Sequence, residues 1–151
     1  RLAIELLNKG RDRFQRERQP GVIKYGEKFF REITKERYTG FYSSLGERTI
    51  TVIDSSDERK FPSQLSRGTR ELLFLSLRFG LINEYNQYSE SLPVVVDEVL
   101  VNFDPERMER SCDAFRRLSQ TNQLIVFTCH PEIVNSFDGS GFDTQVFNLG
   151  D

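Results

Sequence analysis

Two adjacent carboxylates, Asp97 and Glu98, directly follow the apolar run Val94–Val96. A buried strand of an α/β protein ends at the sheet edge where such proteins bind their ligands. At that edge an aspartate is suited to holding Mg²⁺, and a glutamate is suited to polarising an attacking water molecule. The pair therefore predicts a divalent-cation site with a general base. The alternative is that both residues only end the strand and cap the next turn.

The single histidine of the chain, His130, follows a second apolar run at Leu124–Thr128. If the two runs form neighbouring parallel strands, the imidazole and Glu98 emerge along the same sheet edge. A lone histidine is also commonly a packed or surface residue without chemistry, and that alternative stays open. Its place just after a strand end favours a role at the same site as Glu98.

A third candidate is the segment 65–71, LSRGTRE, which lies directly before a long apolar helix. A small hydroxyl residue and a glycine at a helix N-terminus can present free backbone N–H groups to an anion. Gly68 lacks a β-carbon and so allows a ligand to approach the backbone closely. The alternative is that Ser66 or Thr69 is an ordinary N-cap of the helix.

The C-terminal part of the chain supplies the elements that would position these residues. Asp104-Pro105-Glu106 has the residue types that begin a helix. The elements predicted here are a strand at 92–96 covered on both faces, a helix from 105 with Met108, Cys112, Phe115 and Leu118 on one face, a buried strand at 124–128, a short helix at 131–137, a turn at 138–141 and a last strand at 144–149. Alternating strands and helices of this kind predict a doubly wound α/β sheet.

The N-terminal part predicts helices followed by a β-hairpin. The predicted elements are a helix at 1–18, a break at Pro20–Gly21, a helix at 22–36, hairpin strands at 38–42 and 49–53, a loop at 54–60, and a helix at 72–85 that is apolar on nearly every face. The first helix is either the stub of a coiled coil or an ordinary surface helix. Because the chain begins with Arg1 inside a helical pattern, we expect a domain excised from a longer protein.

The composition indicates one folded domain. Its 151 residues are 37% hydrophobic and 29% charged, which excludes a membrane-spanning protein and a disordered chain. The first 50 residues hold 12 basic and 7 acidic residues, and the remainder holds 9 and 16. The basic part would face nucleic acid or form a solvated helical surface. Cys112 and Cys129 lie in apolar contexts and predict buried free thiols in a reducing, cytoplasmic compartment.

The three candidates and the sequence Asn102-Phe103-Asp104, in this order, resemble the C-terminal half of an ABC-type ATPase head. The variants are most similar to the SMC-like and double-strand-break-repair branch, and within it to the YhaN-like bacterial AAA proteins. The resemblance covers residues 60–151. It implies an α/β fold, the C-terminal lobe of a P-loop ATPase, with a buried, mostly parallel sheet flanked by helices. Residues 1–37 would be the end of a coiled coil and an entry helix, and 38–151 the hairpin and the head half.

The resemblance implies that Leu65, Ser66, Arg67, Gly68 and Thr69 match the ABC signature motif. In that family Ser66 and Gly68 would contact the γ-phosphate of a nucleotide held by a second head. Arg67 and Thr69 depart from the commoner Leu-Ser-Gly-Gly form at two positions.

The resemblance also implies a role for each residue at the predicted sheet edge. Asp97 matches the Walker B aspartate that holds the metal, and Glu98 matches the catalytic glutamate. Asn102 and Asp104 match the D-loop, which lines the interface between paired heads. His130 matches the switch histidine at the γ-phosphate.

The 151 residues contain no Gly-x-x-x-x-Gly-Lys-Ser/Thr motif, whose backbone amides and lysine hold nucleotide phosphates. The resemblance therefore implies that ATP and Mg²⁺ need an N-terminal P-loop half of the same protein, and that this chain alone is inactive. A second head, DNA and a nuclease subunit are further partners that the family implies, with no membrane association.

Two other functions remain as alternatives. One is a nucleic-acid-binding or scaffold module with an ATPase-like fold and no turnover. The other is a hydrolase with Asp97, Glu98 and His130 as metal ligands. It is disfavoured because neighbouring residues of a strand point to opposite faces and no further His or Cys pair completes a metal shell.

Overall fold

The computed structural model describes residues 21–43, 49–139, 141 and 143–149. The chain forms two compact units, one ending at Gln87 and the other beginning at Tyr88. The first contains α1 (Gly21–Ile33), β1 (Tyr38–Ser43), β2 (Ile50–Asp54), β3 (Arg59–Lys60), a 3-10 turn (Pro62–Gln64) and α2 (Arg67–Asn86). The second contains β4 (Val94–Asp97), α3 (Pro105–Ser119), β5 (Leu124–Phe127) and α4 (Pro131–Asp138). The helix predicted at 1–18 lies outside the described residues.

Helices α1 and α2 pack against each other in the first unit at a very short backbone separation. A Cβ added at Gly26 would lie 2.9 Å from the carbonyl oxygen of Ser76, and one added at Gly80 would meet the carbonyl oxygen of Val22. Only glycine fits at such a crossing. The predicted helix at 22–36 is confirmed, although it ends at Ile33.

The predicted hairpin is confirmed, with β1 and β2 antiparallel and Phe41 opposite Val52. Its connection, 44–48, lies outside the described residues. Phe30 of α1 packs on Phe41 with ring centroids 5.2 Å apart, and Glu27 Oε2 accepts a 2.7 Å hydrogen bond from the Phe41 N–H. The loop predicted at 54–60 contains the short strand β3, which pairs with β2.

Helix α2 is longer than predicted and is not buried on nearly every face. Its buried side includes Leu72, Leu73 and Phe79, whereas Phe74 and Leu81 are exposed. The prediction of an almost fully buried helix was therefore wrong, because within the described part of the first unit one face of α2 packs and the opposite face is left uncovered.

Strands β4 and β5 of the second unit are parallel neighbours, with Val94 opposite Leu124 and Asp97 opposite Phe127. The buried face of α3, with Met108, Cys112, Phe115 and Leu118, is as predicted. The predicted coverage of both strand faces is wrong for the described residues, since Val96 is buried but Val95 is 62% exposed.

The strand predicted at 144–149 is also absent, because residues 143–149 form neither helix nor strand. Phe147 is 76% exposed in this segment. Alternating apolar residues form a strand only where a neighbouring strand accepts their backbone hydrogen bonds, and in the described residues β4 and β5 pair only with each other. The α/β class itself is confirmed, with a parallel sheet, an antiparallel sheet and flanking helices. None of the described helices combines the length and apolarity that crossing a bilayer requires.

Candidate functional site

The parallel pairing of β4 and β5 brings Glu98 and His130 to the same sheet edge. The two strands are in register up to Asp97 and Phe127, and the Glu98 N–H extends the ladder by donating to the Phe127 carbonyl at 3.2 Å. Glu98 and His130 therefore emerge side by side from the carboxyl ends of adjacent strands. This is the juxtaposition that the sequence predicts.

Glu98 lies just beyond the end of its strand in a left-handed backbone conformation, with a φ of 51°. This conformation costs a residue with a β-carbon roughly 1–2 kcal/mol. It also interrupts the strand alternation, so the side chains of Asp97 and Glu98 need not point to opposite faces. The argument from strand alternation therefore does not apply to Glu98, and among the described residues Asp97 lies outside the group that Glu98 forms with Cys129 and His130.

The Glu98 carboxylate is held by the segment that follows β5. Oε1 accepts a 2.6 Å hydrogen bond from the Cys129 N–H, and Oε2 accepts one from the Thr128 hydroxyl at 3.3 Å. The pKa of Glu98 is lowered mainly by the hydrogen bond from the Cys129 N–H and then by the Cys129 thiol. Burial opposes this lowering, and Thr128 and the charge of His130 add to it more weakly. A lowered pKa keeps the carboxylate ionised.

His130 is held between two carboxylates at the start of α4. Its Nε2 lies 3.8 Å from Glu98 Oε2, and its Nδ1 lies 3.2 Å from Glu132 Oε1. The His130 N–H donates to the Thr128 hydroxyl at 3.1 Å. Glu132 and Thr128, in the same segment, thus contact the ring and the backbone of His130, and Glu98 approaches the ring from the end of the neighbouring strand. The side chain is 35% exposed, so a ligand can still reach the ring.

Cys129 belongs to this site, although the sequence predicts a buried thiol. Cys112 is buried as predicted, but Cys129 is exposed because it lies past the end of β5. The thiol donates to the Glu98 carboxylate, which is the main cause that raises the pKa of Cys129. One ligand atom each from Glu98, Cys129 and His130 lie within 4.8 Å of one another. The position of Cys129 between a strand end and His130 was the signal that sequence reasoning missed.

Asp97, the predicted metal ligand, is the last residue of β4 and is exposed to solvent. It is not part of the group that Glu98, Cys129 and His130 form. A solvent-facing carboxylate at a strand end is suited to a hard cation such as Mg²⁺. Its role as metal ligand stays a prediction.

Asn102 and Asp104, which the sequence predicts as D-loop residues, precede α3. Asp104 is the N-cap of α3: its Oδ1 accepts a 2.9 Å hydrogen bond from the Arg107 N–H, and its Oδ2 pairs with Arg107 Nε at 3.3 Å. Asn102 and Asp104 are both exposed. Asp104 thus has a structural role in the chain, and the interface role of both residues stays a prediction.

The segment 65–69, which the sequence predicts as a signature motif, lies at the start of α2 in the first unit. Ser66 is the N-cap, and its Oγ accepts from the Thr69 N–H at 3.3 Å. Leu65 and Thr69 are buried, whereas Ser66 and Arg67 are exposed and Gly68 is half-buried. The N-cap interpretation of Ser66 is therefore confirmed. Contact with a nucleotide stays a prediction, and the exposure of Ser66 and the partial exposure of Gly68 leave both residues reachable for it.

Comparisons with known proteins give one curated relative and many solved structures, and no family model matches the chain. Over 122 residues, 80% of the chain, it is 31% identical to the uncharacterized protein YhaN of Bacillus subtilis (strain 168), and it spans 13% of that protein. This partial similarity agrees with the resemblance found in the sequence.

The similar solved structures are head domains of SMC ATPases. They include an SMC ATPase studied for ATP-driven dimerisation and DNA-stimulated activation (TM-score 0.63, 14% identity, 77% of this chain and 71% of that one). They also include the SMC head domain from Thermotoga maritima (TM-score 0.57, 23% identity, 81% and 42%). Another is the Pyrococcus furiosus Smc head with a coiled coil, bound to the C-terminal domain of ScpA (TM-score 0.60, 15% identity, 77% and 30%). The chain therefore has the fold of an SMC ATPase head lobe.

Proposed function

We propose that this chain is the C-terminal part of an ATP-hydrolysing head. The observation that carries the proposal is the Glu98 carboxylate, fixed by the Cys129 N–H and placed 3.8 Å from His130 Nε2 at the carboxyl edge of two parallel strands. Groups that activate a water molecule and contact a phosphate need to lie this close. The likeness to SMC ATPase heads supports the same conclusion.

Each residue at the sheet edge has a chemical task in this proposal. Glu98 is ionised and accepts a proton from the attacking water. His130, held at Nδ1 by Glu132, would contact an oxygen of the γ-phosphate through Nε2. Asp97 offers exposed carboxylate oxygens, the ligands that Mg²⁺ prefers. When bound, ATP would supply the phosphoryl group and Mg²⁺ would neutralise the charge that develops on it.

The phosphate-binding elements must come from other polypeptide segments. Since the 151 residues contain no P-loop motif, the N-terminal P-loop half of the same protein is the proposed partner within one head. A second head places its exposed Ser66 and half-buried Gly68 at the γ-phosphate, with Asn102 and Asp104 at the interface between the heads. The ATP-driven dimerisation of a similar SMC ATPase supports this arrangement.

Hydrolysis would open the head pair and move the attached coiled coil, of which residues 1–18 are the proposed end. The same SMC ATPase undergoes activation that is stimulated by DNA, which supports DNA as a partner here. A nuclease subunit is proposed from the family resemblance alone.

The test is phosphate release by the full-length protein with Glu98→Gln. The amide cannot accept the proton, so we expect kcat to fall by about 10²–10⁴-fold, the usual contribution of a general base, while ATP binding persists and the ATP-bound dimer accumulates. Glu109→Gln is the matched control, because Glu109 is an exposed carboxylate on α3 outside the Glu98 group. Near-normal kcat in Glu98→Gln would contradict the proposal. Absent phosphate release in the unmodified protein, with and without DNA, would favour the scaffold alternative.

A further inference from the structure

The group formed by Glu98, Cys129 and His130 has the donor set of a transition-metal site. It offers a carboxylate oxygen, a thiol sulfur and an imidazole nitrogen, all within 4.8 Å of one another. Sulfur and imidazole donors favour Zn²⁺ over Mg²⁺, which is bound by oxygen ligands. We propose that these three side chains form a binding site for Zn²⁺ or a similar transition-metal ion.

The distances in the group are close to those that such an ion requires. Zinc binds sulfur at about 2.3 Å and nitrogen or oxygen at about 2.0–2.2 Å, so neighbouring ligand atoms of a tetrahedral site lie about 3.3–3.6 Å apart. His130 Nε2 and Glu98 Oε2 are already 3.8 Å apart. The other pairs of ligand atoms are no more than 4.8 Å apart, so a contraction of at most roughly 1.5 Å would complete a tetrahedral set. Three protein ligands leave the fourth position for water or another ligand.

Two of the three ligands are held in place before any ion binds. Glu132 lies 3.2 Å from His130 Nδ1, so an Nδ1–H directed at this carboxylate leaves the Nε2 lone pair facing Glu98. A carboxylate behind a ligating imidazole is the usual second layer of zinc sites. The Glu98 carboxylate is fixed by the Cys129 N–H. Glu98 Oε2 also accepts from the Thr128 hydroxyl, so the metal would bind a second lone pair of a Glu98 oxygen together with His130 Nε2.

The charges of the site also match a divalent cation. Binding replaces the proton of the Cys129 thiol, which is released to solvent, and leaves a thiolate beside the Glu98 carboxylate and a neutral imidazole. The two negative charges of the thiolate and the carboxylate then balance the two positive charges of the metal ion. The exposure of Cys129 gives the ion a path to the site.

Metal at this site would occupy the Glu98 oxygen that the proposed function needs as a proton acceptor. Zn²⁺ would then act as a reversible inhibitor of hydrolysis. That consequence rests on the proposed function, whereas the metal site itself does not.

Co²⁺ is the probe, because its thiolate complexes absorb in the near ultraviolet and its tetrahedral complexes absorb in the visible range. We expect one equivalent of Co²⁺, added to the reduced and chelator-free chain, to give both absorptions. Zn²⁺ should abolish them by displacement, and a large excess of Mg²⁺ should not. Absence of the near-ultraviolet band, or its loss on addition of Mg²⁺, would overturn the proposal.

Three variants test whether the Co²⁺ absorption arises at this site. Cys129→Ser should remove the near-ultraviolet band, and a band that survives in this variant would refute the site. Glu132→Gln should keep the band but weaken Co²⁺ binding by roughly 10–100-fold, as loss of a carboxylate behind a ligating histidine does. Glu109→Gln, which removes an exposed carboxylate outside the group, should leave binding unchanged. An equal weakening by both glutamine variants would indicate general surface charge and overturn the assignment.

A measurement on the unmodified chain does not depend on the folding of any variant. Cys129 is exposed and Cys112 is buried, so a thiol reagent should modify one cysteine rapidly. We expect Zn²⁺ to slow this fast reaction, and an unchanged rate would refute metal binding at Cys129. Because none of these measurements involves ATP, their failure and the failure of the proposed function are distinguishable.

Discussion

The close crossing of α1 and α2 at Gly80 predicts that a larger residue at this position lowers the free energy of unfolding. In Gly80→Ala the added Cβ would meet the carbonyl oxygen of Val22 and lie 2.8 Å from the backbone nitrogen of Gly26. Both atoms belong to the backbone of α1 and cannot rotate away as a side chain would. The two helices must therefore separate to admit one methyl group.

The expected change in the free energy of unfolding of Gly80→Ala is the sum of two opposing effects. In a helix interior, alanine is more favourable than glycine by about 0.8–1.0 kcal/mol. Overpacking of a well-packed contact costs typically 1–3 kcal/mol. Since two backbone atoms are approached at once, we place Gly80→Ala in the upper part of that range. The expected net loss in the free energy of unfolding is about 1–2 kcal/mol.

Urea unfolding of the chain measures this loss, and an exposed site on the same helix provides the control. Arg78 is exposed on α2, so Arg78→Ala should be more stable than Arg78→Gly by about 1 kcal/mol. At position 80 the order should reverse, with glycine more stable than alanine. A Gly80→Ala variant that gains stability, as position 78 does, would refute the close crossing.

Two further predictions concern the candidate site residues. Ser66→Ala should lower the free energy of unfolding, measured with urea, by about 1 kcal/mol because the N-cap is lost. Ser66→Asp should keep the cap and the stability, but it should abolish ATP-dependent dimerisation of the full-length protein because the added charge repels the phosphate. Unchanged dimerisation in Ser66→Asp would show that Ser66 does not contact the nucleotide. The lowered pKa of Glu98 stabilises the folded state above the unfolded pKa of about 4.3. The stability of the unmodified chain relative to Glu98→Gln should therefore decrease as the pH falls through the lowered pKa, and an increase toward acid pH would contradict the hydrogen bonds assigned to the carboxylate.

The meeting of Glu98 and His130 was predictable from the sequence. Both residues follow apolar runs of strand length, and parallel neighbouring strands place their carboxyl ends at one edge. Similarly, Asp104 before Pro105 is a local signal, and the structure confirms the helix that it begins. Such predictions depend on local residue types and on one assumption about strand pairing.

The sequence predictions that were wrong concern features that depend on which other segments of the chain pack nearby. The sequence predicts a buried Cys129 because it follows an apolar run, but the strand ends at Phe127 and leaves the thiol exposed. Val95 has the residue type of a covered strand, yet its exposure depends on which segments lie over the sheet. The left-handed backbone at Glu98 has no signal in a glutamate. The energetic cost of this left-handed conformation is offset by hydrogen bonds that the Glu98 carboxylate accepts from Thr128 and Cys129. These residues are distant in the chain, so no local sequence pattern reveals the hydrogen bonds.

The most direct test of the central claim is a double-mutant cycle on kcat for ATP hydrolysis by the full-length protein. The cycle compares Glu98→Gln, His130→Ala and the double variant. Groups that act as one catalytic unit are strongly non-additive, so the account predicts that the double variant is about as slow as the slower single variant. A double variant whose loss equals the product of the two single losses would show that Glu98 and His130 act independently and would contradict the account.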